Sequence, residues 1–366
     1  MEYLFNGSVP IAVEREWRPW TPREPPIPKE HPFGRECQFR YYKTGGLTPM
    51  CLVKPREGQT EWVSYNIAAY GYWPDCHLLS NMWHREGASG DIFLDVGANI
   101  GACTVEILAR TNARVIAFEP NPSNLYHLTR TLAMASARRP SLLDRVVVLP
   151  VAAGDVSEWT SIAADMNNMG NSVITNTSEE LPKLLREDSY NRTLKLTDPL
   201  PVRVLTLDMI FPSGFGLNNS VRLMKLDTQG FETKVLRGAR GLLRRRRDGA
   251  APISAIAAEF ERCDPRLRGW PHSCTEDAKS LTWRLQHSGY NVTSRATMTE
   301  AIAIAHIGYP LMCPKAQGCR QQLLCETAEQ RREQLVSNRL TNRTGSYHGP
   351  LAVRCTTEHL CACTEA

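Results

Sequence analysis

From Asp91 onward, apolar runs of four to six residues alternate with amphipathic stretches. Short apolar runs bounded by turn residues predict strands buried on both faces. The stretches between them repeat at the helical period, so the pattern predicts βαβ units around a parallel sheet. Strands are expected at Ile92–Asp95, Arg114–Phe118, Val146–Pro150, Val221–Leu226 and Ile253–Phe260, with a final antiparallel pair at Tyr290–Ser294 and Ala301–His306. Helical periodicity falls at Gly101–Arg110, Ser123–Ala137, Thr233–Arg246 and Thr275–Ser288. The expected fold class is α/β, a doubly wound, mostly parallel seven-stranded sheet with N- and C-terminal extensions. Asp155–Leu200 is polar and without periodicity, and a loop of that length in a compact domain is usually functional or disordered.

Outside the core the pattern changes. Residues 1–35 carry the proline-rich run RPWTPREPPIPKEHP, which favours extended polyproline conformation and reads as an arm or stem. Residues 36–85 form an extension dense in aromatics (Tyr41, Tyr42, Trp62, Tyr65, Tyr70, Tyr72, Trp73, Trp83), whose rings are expected to pack on the core. The α/β domain of the pattern spans 86–308, and 309–366 is a polar, cysteine-rich C-terminal extension.

Composition adds little to this. Of 366 residues, 22% are charged and 42% hydrophobic, with a net charge of +5, which calls for neither nucleic acid nor an anionic membrane. The run Arg244–Arg247 follows a helical pattern and reads as a solvated helix end. No 18-residue apolar stretch predicts a membrane span, and the first residues lack the basic and apolar regions of a signal peptide, which makes the cytosol the default compartment. Twelve cysteines point the other way, as do sequons at Asn6, Asn176, Asn191, Asn218, Asn291 and Asn342. They suggest a secretory-pathway lumen with disulfides, and the compartment stays open. The late cysteines Cys313, Cys319, Cys325, Cys355, Cys361 and Cys363 do not match zinc-pair spacing, and no HExxH occurs, so no metal site is expected.

The chemistry concentrates at strand ends. In IFLDVGANIGACTVEILAR a strand ends in Asp95, turns through Gly97, Ala98, Asn99 and Gly101, and opens a helix. Glycine lets the backbone approach a ligand, and the helix N-terminus offers free N–H groups. The spacing GxNxG differs from the dinucleotide GxGxxG. The acid before the first glycine suits an ammonium group, which S-adenosyl-L-methionine has and NAD lacks. A plain tight turn explains the glycines but not Asp95. Glu119 ends the second strand at roughly the twenty-residue interval where an acid accepts hydrogen bonds from a ribose diol. Asn121 follows it, and Asn124 is a helix-cap candidate. Asp155, in PVAAGD, either accepts from an adenine amino group or is a turn residue.

In VRLMKLDTQGFETKVLRGA a strand ends at Asp227, a turn follows at Gly230, and a helix begins. Asp227 and Glu232 stand near the sheet's C-terminal edge, where an acid can take or hold a hydroxyl proton. Glu232 serves equally well as a helix N-terminal acid. Glu259 closes the apolar run ISAIAAEF and is a third candidate catalytic acid at the rim.

Together LDVGANIG, AFEPNP and VRLMKLDTQGFE, in that order and at similar intervals, resemble the FkbM family of class I methyltransferases over roughly Tyr70 to Gly308. The last motif is the specific one. The resemblance implies a Rossmann-like methyltransferase that uses S-adenosyl-L-methionine, bound by Asp95, Gly97, Asn99, Gly101 and Glu119. Asp227 would stand beside the transferred methyl, and the implied acceptor is a hydroxyl of a sugar, glycan or small molecule. Many members carry Glu where this chain has Gln229, which argues against a base or metal-ligand role at that position. The run NNMGNSV, Asn167 to Val173, resembles a family loop over the site. No nucleic-acid partner is expected, since basic residues are not interleaved with aromatics. Competing readings are an NAD-dependent oxidoreductase, a nucleic-acid methyltransferase, and a non-catalytic glycan- or partner-binding module on the same fold.

Overall fold

A computed structural model describes residues 2–5, 9–11, 17–27, 35–43, 48–54, 61–83, 91–165, 172–175, 197–211, 221–243, 253–259, 284–285, 287–288, 290–294 and 300–305. The chain divides into two units, Met1–His306 and Ile307–Ala366, and the second lies outside the described residues, with all six late cysteines.

The first unit opens with two antiparallel pairs, β1 (Glu2–Leu4) with β2 (Val9–Ile11) and β3 (Arg35–Tyr42) with β4 (Thr48–Lys54). Helices α1 (Trp62–Tyr70) and α2 (Pro74–Met82) follow. Glu61 caps α1 by accepting from the amides of Val63 and Ser64, and Gly71 ends it at φ +87°. The core then runs β5 (Ile92–Val96), α3 (Ala102–Arg110), β6 (Arg114–Phe118), α4 (Pro122–Arg138) and β7 (Val146–Leu149). After these come β8 (Ala152–Ala153), β9 (Glu158–Ala164), β10 (Ser172–Thr175), β11 (Leu200–Leu205), β12 (Val221–Leu226), β13 (Ile253–Glu259), β14 (Tyr290–Ser294) and β15 (Glu300–Ala305).

Five parallel strands in the order β13-β12-β5-β6-β7 make the centre, and β15 and β14 continue the sheet beyond β13 in antiparallel sense. Side chains of alternate residues enter separate cores. Ile92, Leu94 and Val96 of β5 join Ile116, Phe118 and Met224 on one face. Phe93 joins Val115, Ala117 and Leu223 on the other, under α3 and α4. Both faces are therefore covered, which is why the strands read as unbroken apolar runs rather than as alternation. The chain turns back between β5 and β12, neighbours in the sheet though far apart in sequence, and the crevice at such a reversal is where open α/β sheets bind ligands.

The first unit departs from the sequence reading in four places. The polar stretch after Asp155 contains β9 and β10, which join β11 and β8 in a second, four-stranded sheet. Its pairing is non-local, and Trp159 faces solvent while Thr160 and Ile162 are buried, so no clean period marks it. The helix expected over Thr233–Arg246 is two short helices, Glu232–Arg237 and Arg240–Leu243, parted at Gly238. A Cβ there would stand 1.8 Å from the carbonyl oxygen of Gly154. The proline-rich stretch does not stand free over 17–27. Trp17 and Trp20 are buried, and Trp20 forms a bridge with Val148 on the sheet edge. The aromatics of the N-terminal extension divide: Tyr42 and Trp83 are buried, but Tyr41, Trp62, Tyr65 and Tyr70 are exposed. Most of the expected helix Thr275–Ser288 lies outside the described residues.

All four described cysteines are paired. Cys37–Cys51 joins β3 to β4, and Cys76–Cys103 joins α2 to the first turn of α3. Cys51 also donates its amide to Thr131 Oγ1 of α4, so the extension is pinned to the core by covalent and polar contacts. Among the described residues no helix is long and apolar enough to cross a membrane.

Candidate functional site

The C-terminal ends of β5, β6 and β12 meet at one cleft. Its lining includes Gly97, Asn99, Glu119, Asn124, Asp227, Thr228 and Gln229 on the polar side, and Phe118, Val151, Ile162 and Ile174 on the apolar side.

The first wall is the turn after β5. Gly97 lies at φ +85°, Asn99 at +53° and Gly101 at +90°. The amides of Gly97 and Ala98 donate to the Phe118 carbonyl at 3.1 and 2.9 Å, which fixes the turn against β6. Asn99 closes its own turn, its Oδ1 accepting from the Ile100 amide at 2.7 Å. Gly97 and Asn99 line the cleft. Ala98 is buried in the core, and Gly101 serves packing: a Cβ there would stand 2.4 Å from Leu128 Cδ1 of α4.

Glu119 is the second wall, 4% exposed. Its Oε2 accepts the Asn99 amide at 2.7 Å, while Oε1 accepts the Asn121 amide at 2.9 Å and Asn124 Nδ2 at 3.3 Å. Burial raises its carboxyl to about 7 against these donors. A carboxylate oxygen accepts about two hydrogen bonds, so Oε2 keeps capacity among the described residues. Asn121 caps α4 through Ser123 and donates Nδ2 to Ser172 Oγ at 2.7 Å, which ties β10 to the cleft rim. Ser172 and Ile174 line the cleft. Of the run Asn167 to Val173, the first five residues lie outside the described residues.

The third wall is the turn after β12. Asp227 receives Lys225 Nζ on Oδ2 at 2.9 Å and Gln229 Nε2 on Oδ1 at 2.8 Å. Glu232 folds back on this turn. Its Oε1 accepts Thr228 N and Oγ1, at 2.7 and 3.1 Å, and its Oε2 accepts the Gly230 amide at 3.0 Å. Burial, and then the Asp227 charge, raise its carboxyl to about 7 against the hydrogen bonds it accepts. Glu232 thus shapes the turn from behind rather than lining the cleft.

Three other candidates also stand back. Asp95 is fully buried: Oδ2 accepts from Thr104 Oγ1 at 2.7 Å, and Oδ1 lies 3.7 Å from Lys225 Nζ with no hydrogen bond. Burial raises its carboxyl, against the pull of Lys225. Asp155 pairs with Arg237 Nε at 3.5 Å, beyond the lining. Glu259 ends β13 opposite Glu300 of β15, and its side chain lies outside the described residues.

Lys225 was not singled out from the sequence. It joins three features of the site, since Nζ also donates to the Gly97 carbonyl at 2.8 Å. A lysine inside the apolar run VRLMKL was the available signal, because a buried cation must find partners.

Residues 95–252 match the family model described as the methyltransferase FkbM domain. A search of curated proteins gives no match. Among solved structures, methyltransferase FkbM from Methylobacillus flagellatus KT is 15% identical with a TM-score of 0.36, covering 66% of this chain and 59% of that one. A Corynebacterium glutamicum protein is 12% identical (TM-score 0.35; 68% and 89% covered), and the small RNA methyltransferase HEN1 is 9% identical (TM-score 0.33; 69% and 28%). The chain therefore spans under two thirds of the length of the Methylobacillus protein. The glycine turn, the second-strand acid and the third-wall turn all fall inside the segment, residues 95–252, that matches the methyltransferase FkbM domain model.

Proposed function

We propose that this chain is an S-adenosyl-L-methionine-dependent methyltransferase that methylates a hydroxyl of a glycan or small-molecule acceptor. The observation carrying this reading is the convergence of Gly97, Glu119 and Asp227, from three strand ends, on one cleft. The residues present fit the cofactor. Gly97 offers bare backbone, Glu119 Oε2 has acceptor capacity for a ribose hydroxyl, and Phe118, Val151, Ile162 and Ile174 make an apolar seat for a base. Asp155, engaged with Arg237, is not needed for that seat.

The bound cofactor supplies an electrophilic methyl on a sulfonium. The chain's own work is alignment and proton handling. The Gly97–Asn99 turn and Glu119 orient the nucleoside. Asp227, 29% exposed at the cleft, is placed to accept the proton of an acceptor hydroxyl. Glu232 holds the Thr228–Gly230 turn and so fixes where Asp227 points. A nucleic-acid acceptor is not part of this reading, and salt-sensitive binding of RNA or DNA would revive it.

Calorimetry with S-adenosyl-L-methionine is the test, with Glu119→Ala as the control. Micromolar binding that collapses in the variant supports the reading. No binding to folded protein removes it and favours a non-catalytic module.

A further inference from the structure

Lys225 and Asp95 are register partners on adjacent strands, flanked in the same row by Ala257 and Ala117. Their side chains therefore share one face of the sheet, with small neighbours on either side. The ammonium lies 2.9 Å from Asp227 Oδ2 and 3.7 Å from Asp95 Oδ1. The two acids are not equivalent. Asp227 opens on the cleft and has a second donor in Gln229. Asp95 is fully buried, and its Oδ1 accepts no hydrogen bond although Oδ2 is satisfied by Thr104. A buried carboxylate oxygen without a donor is costly, and a cation less than an ångström beyond hydrogen-bond reach is the group able to satisfy it.

The same geometry sets competitors against an acceptor hydroxyl at Asp227, because the Lys225 ammonium takes part of the capacity of Oδ2 and Gln229 part of that of Oδ1. We propose that Lys225 is a positioning residue shared between the two acids, moving from Asp227 Oδ2 to Asp95 Oδ1 when a cationic methyl donor enters the cleft. The move frees an oxygen of Asp227 for the acceptor hydroxyl. The positive charge of the sulfonium drives it by repelling the ammonium and replacing it as the counter-charge of Asp227. Once the methyl has left, the cofactor is a neutral thioether at that atom and the ammonium returns. The Gly97 carbonyl, 2.8 Å from Nζ, is a pivot that Lys225 keeps in both positions. This inference rests on the cofactor reading above.

Two probes that differ by the methyl cation, S-adenosyl-L-methionine and S-adenosylhomocysteine, test it by calorimetry on the wild type and Asp95→Asn. The amide keeps the shape of Asp95 but cannot hold the displaced ammonium as an ion pair. The expected result is a loss of about tenfold in preference for the sulfonium, with thioether affinity changed less than about twofold. Equal loss for both ligands, or no loss, overturns the proposal. A second measurement needs no change at Asp95. With ε-carbon-labelled lysine in the wild type, the resonance that vanishes in Lys225→Arg is expected to differ between the two complexes, and coincident shifts overturn the proposal. If the wild type binds neither ligand, the cofactor reading itself has failed and this inference falls with it, an outcome distinct from binding without discrimination.

Discussion

A Cβ atom on Gly97 would stand 1.7 Å from the carbonyl oxygen of Asp227. The turn after β5 and the turn that carries Asp227 are thus in backbone contact, and the amide of Asp227 donates to the Val96 carbonyl at 3.0 Å beside them. Gly97 also holds φ +85°, which side-chain-bearing residues adopt at a cost of about 1–2 kcal/mol. Gly97→Ala is expected to lose at least that much stability and to lose cofactor binding, read by thermal unfolding and calorimetry. Unchanged values for both would show that the two turns move apart freely.

Glu119 gives a pH dependence with a definite sign. Its folded carboxyl titrates at about 7 and its unfolded one near 4.5. The folded state therefore holds its proton longer, and stability from this group is fully present below about 4.5 and is lost as pH rises through about 7, by up to ~3 kcal/mol. Glu232 adds a loss of the same sign over the same window. Urea unfolding of the free protein should show stability falling between pH 5 and pH 7.5, with a shallower fall in Glu119→Gln. A flat profile would contradict the burial argument.

Cofactor binding should run the opposite way. A ribose hydroxyl donating to Glu119 favours the ionised form, so affinity is expected to fall about tenfold per pH unit below 7 and to level off above it. Titrations at pH 5.5, 6.5 and 8 decide this.

Asp227→Asn should lose turnover at saturating cofactor by about 10²–10⁴-fold, the range for removing a positioned acid or base, beyond any loss of affinity for the sulfonium. Methyl transfer from a labelled donor to a responsive acceptor is the readout. Full turnover would exclude Asp227 as the proton acceptor.

The Cys76–Cys103 bridge closes a separation of 27 residues between α2 and the helix that follows the glycine turn. Replacing both cysteines by serine is expected to cost about 3–4 kcal/mol of stability from loop entropy alone. Denaturant midpoints of the variant and the wild type test this, and equal midpoints would show the bridge to be dispensable.

The sequence by itself determined what is local. Apolar runs at Ile92–Val96, Arg114–Phe118 and Val221–Leu226 are strands because burial on both faces leaves no polar alternation. The turns at Gly97 and Gly230 were legible because few residues other than glycine reach positive φ without strain. Glu119 was legible because its place at a strand end follows from chain spacing. Only the tertiary structure decided which strands are neighbours, and with that the partners of each charge. β5 and β12 are distant in sequence, so nothing local put Lys225 beside Asp95 or its ammonium between two acids. Nor could spacing show that Glu232 turns back on its own loop, that Asp155 pairs with Arg237, or that the stretch after Asp155 supplies β9 and β10 with Ile162 and Ile174 at the cleft. Backbone conformation follows from residues a few positions apart, but the environment of a side chain is set by the register and order of strands that the chain brings together only when it folds.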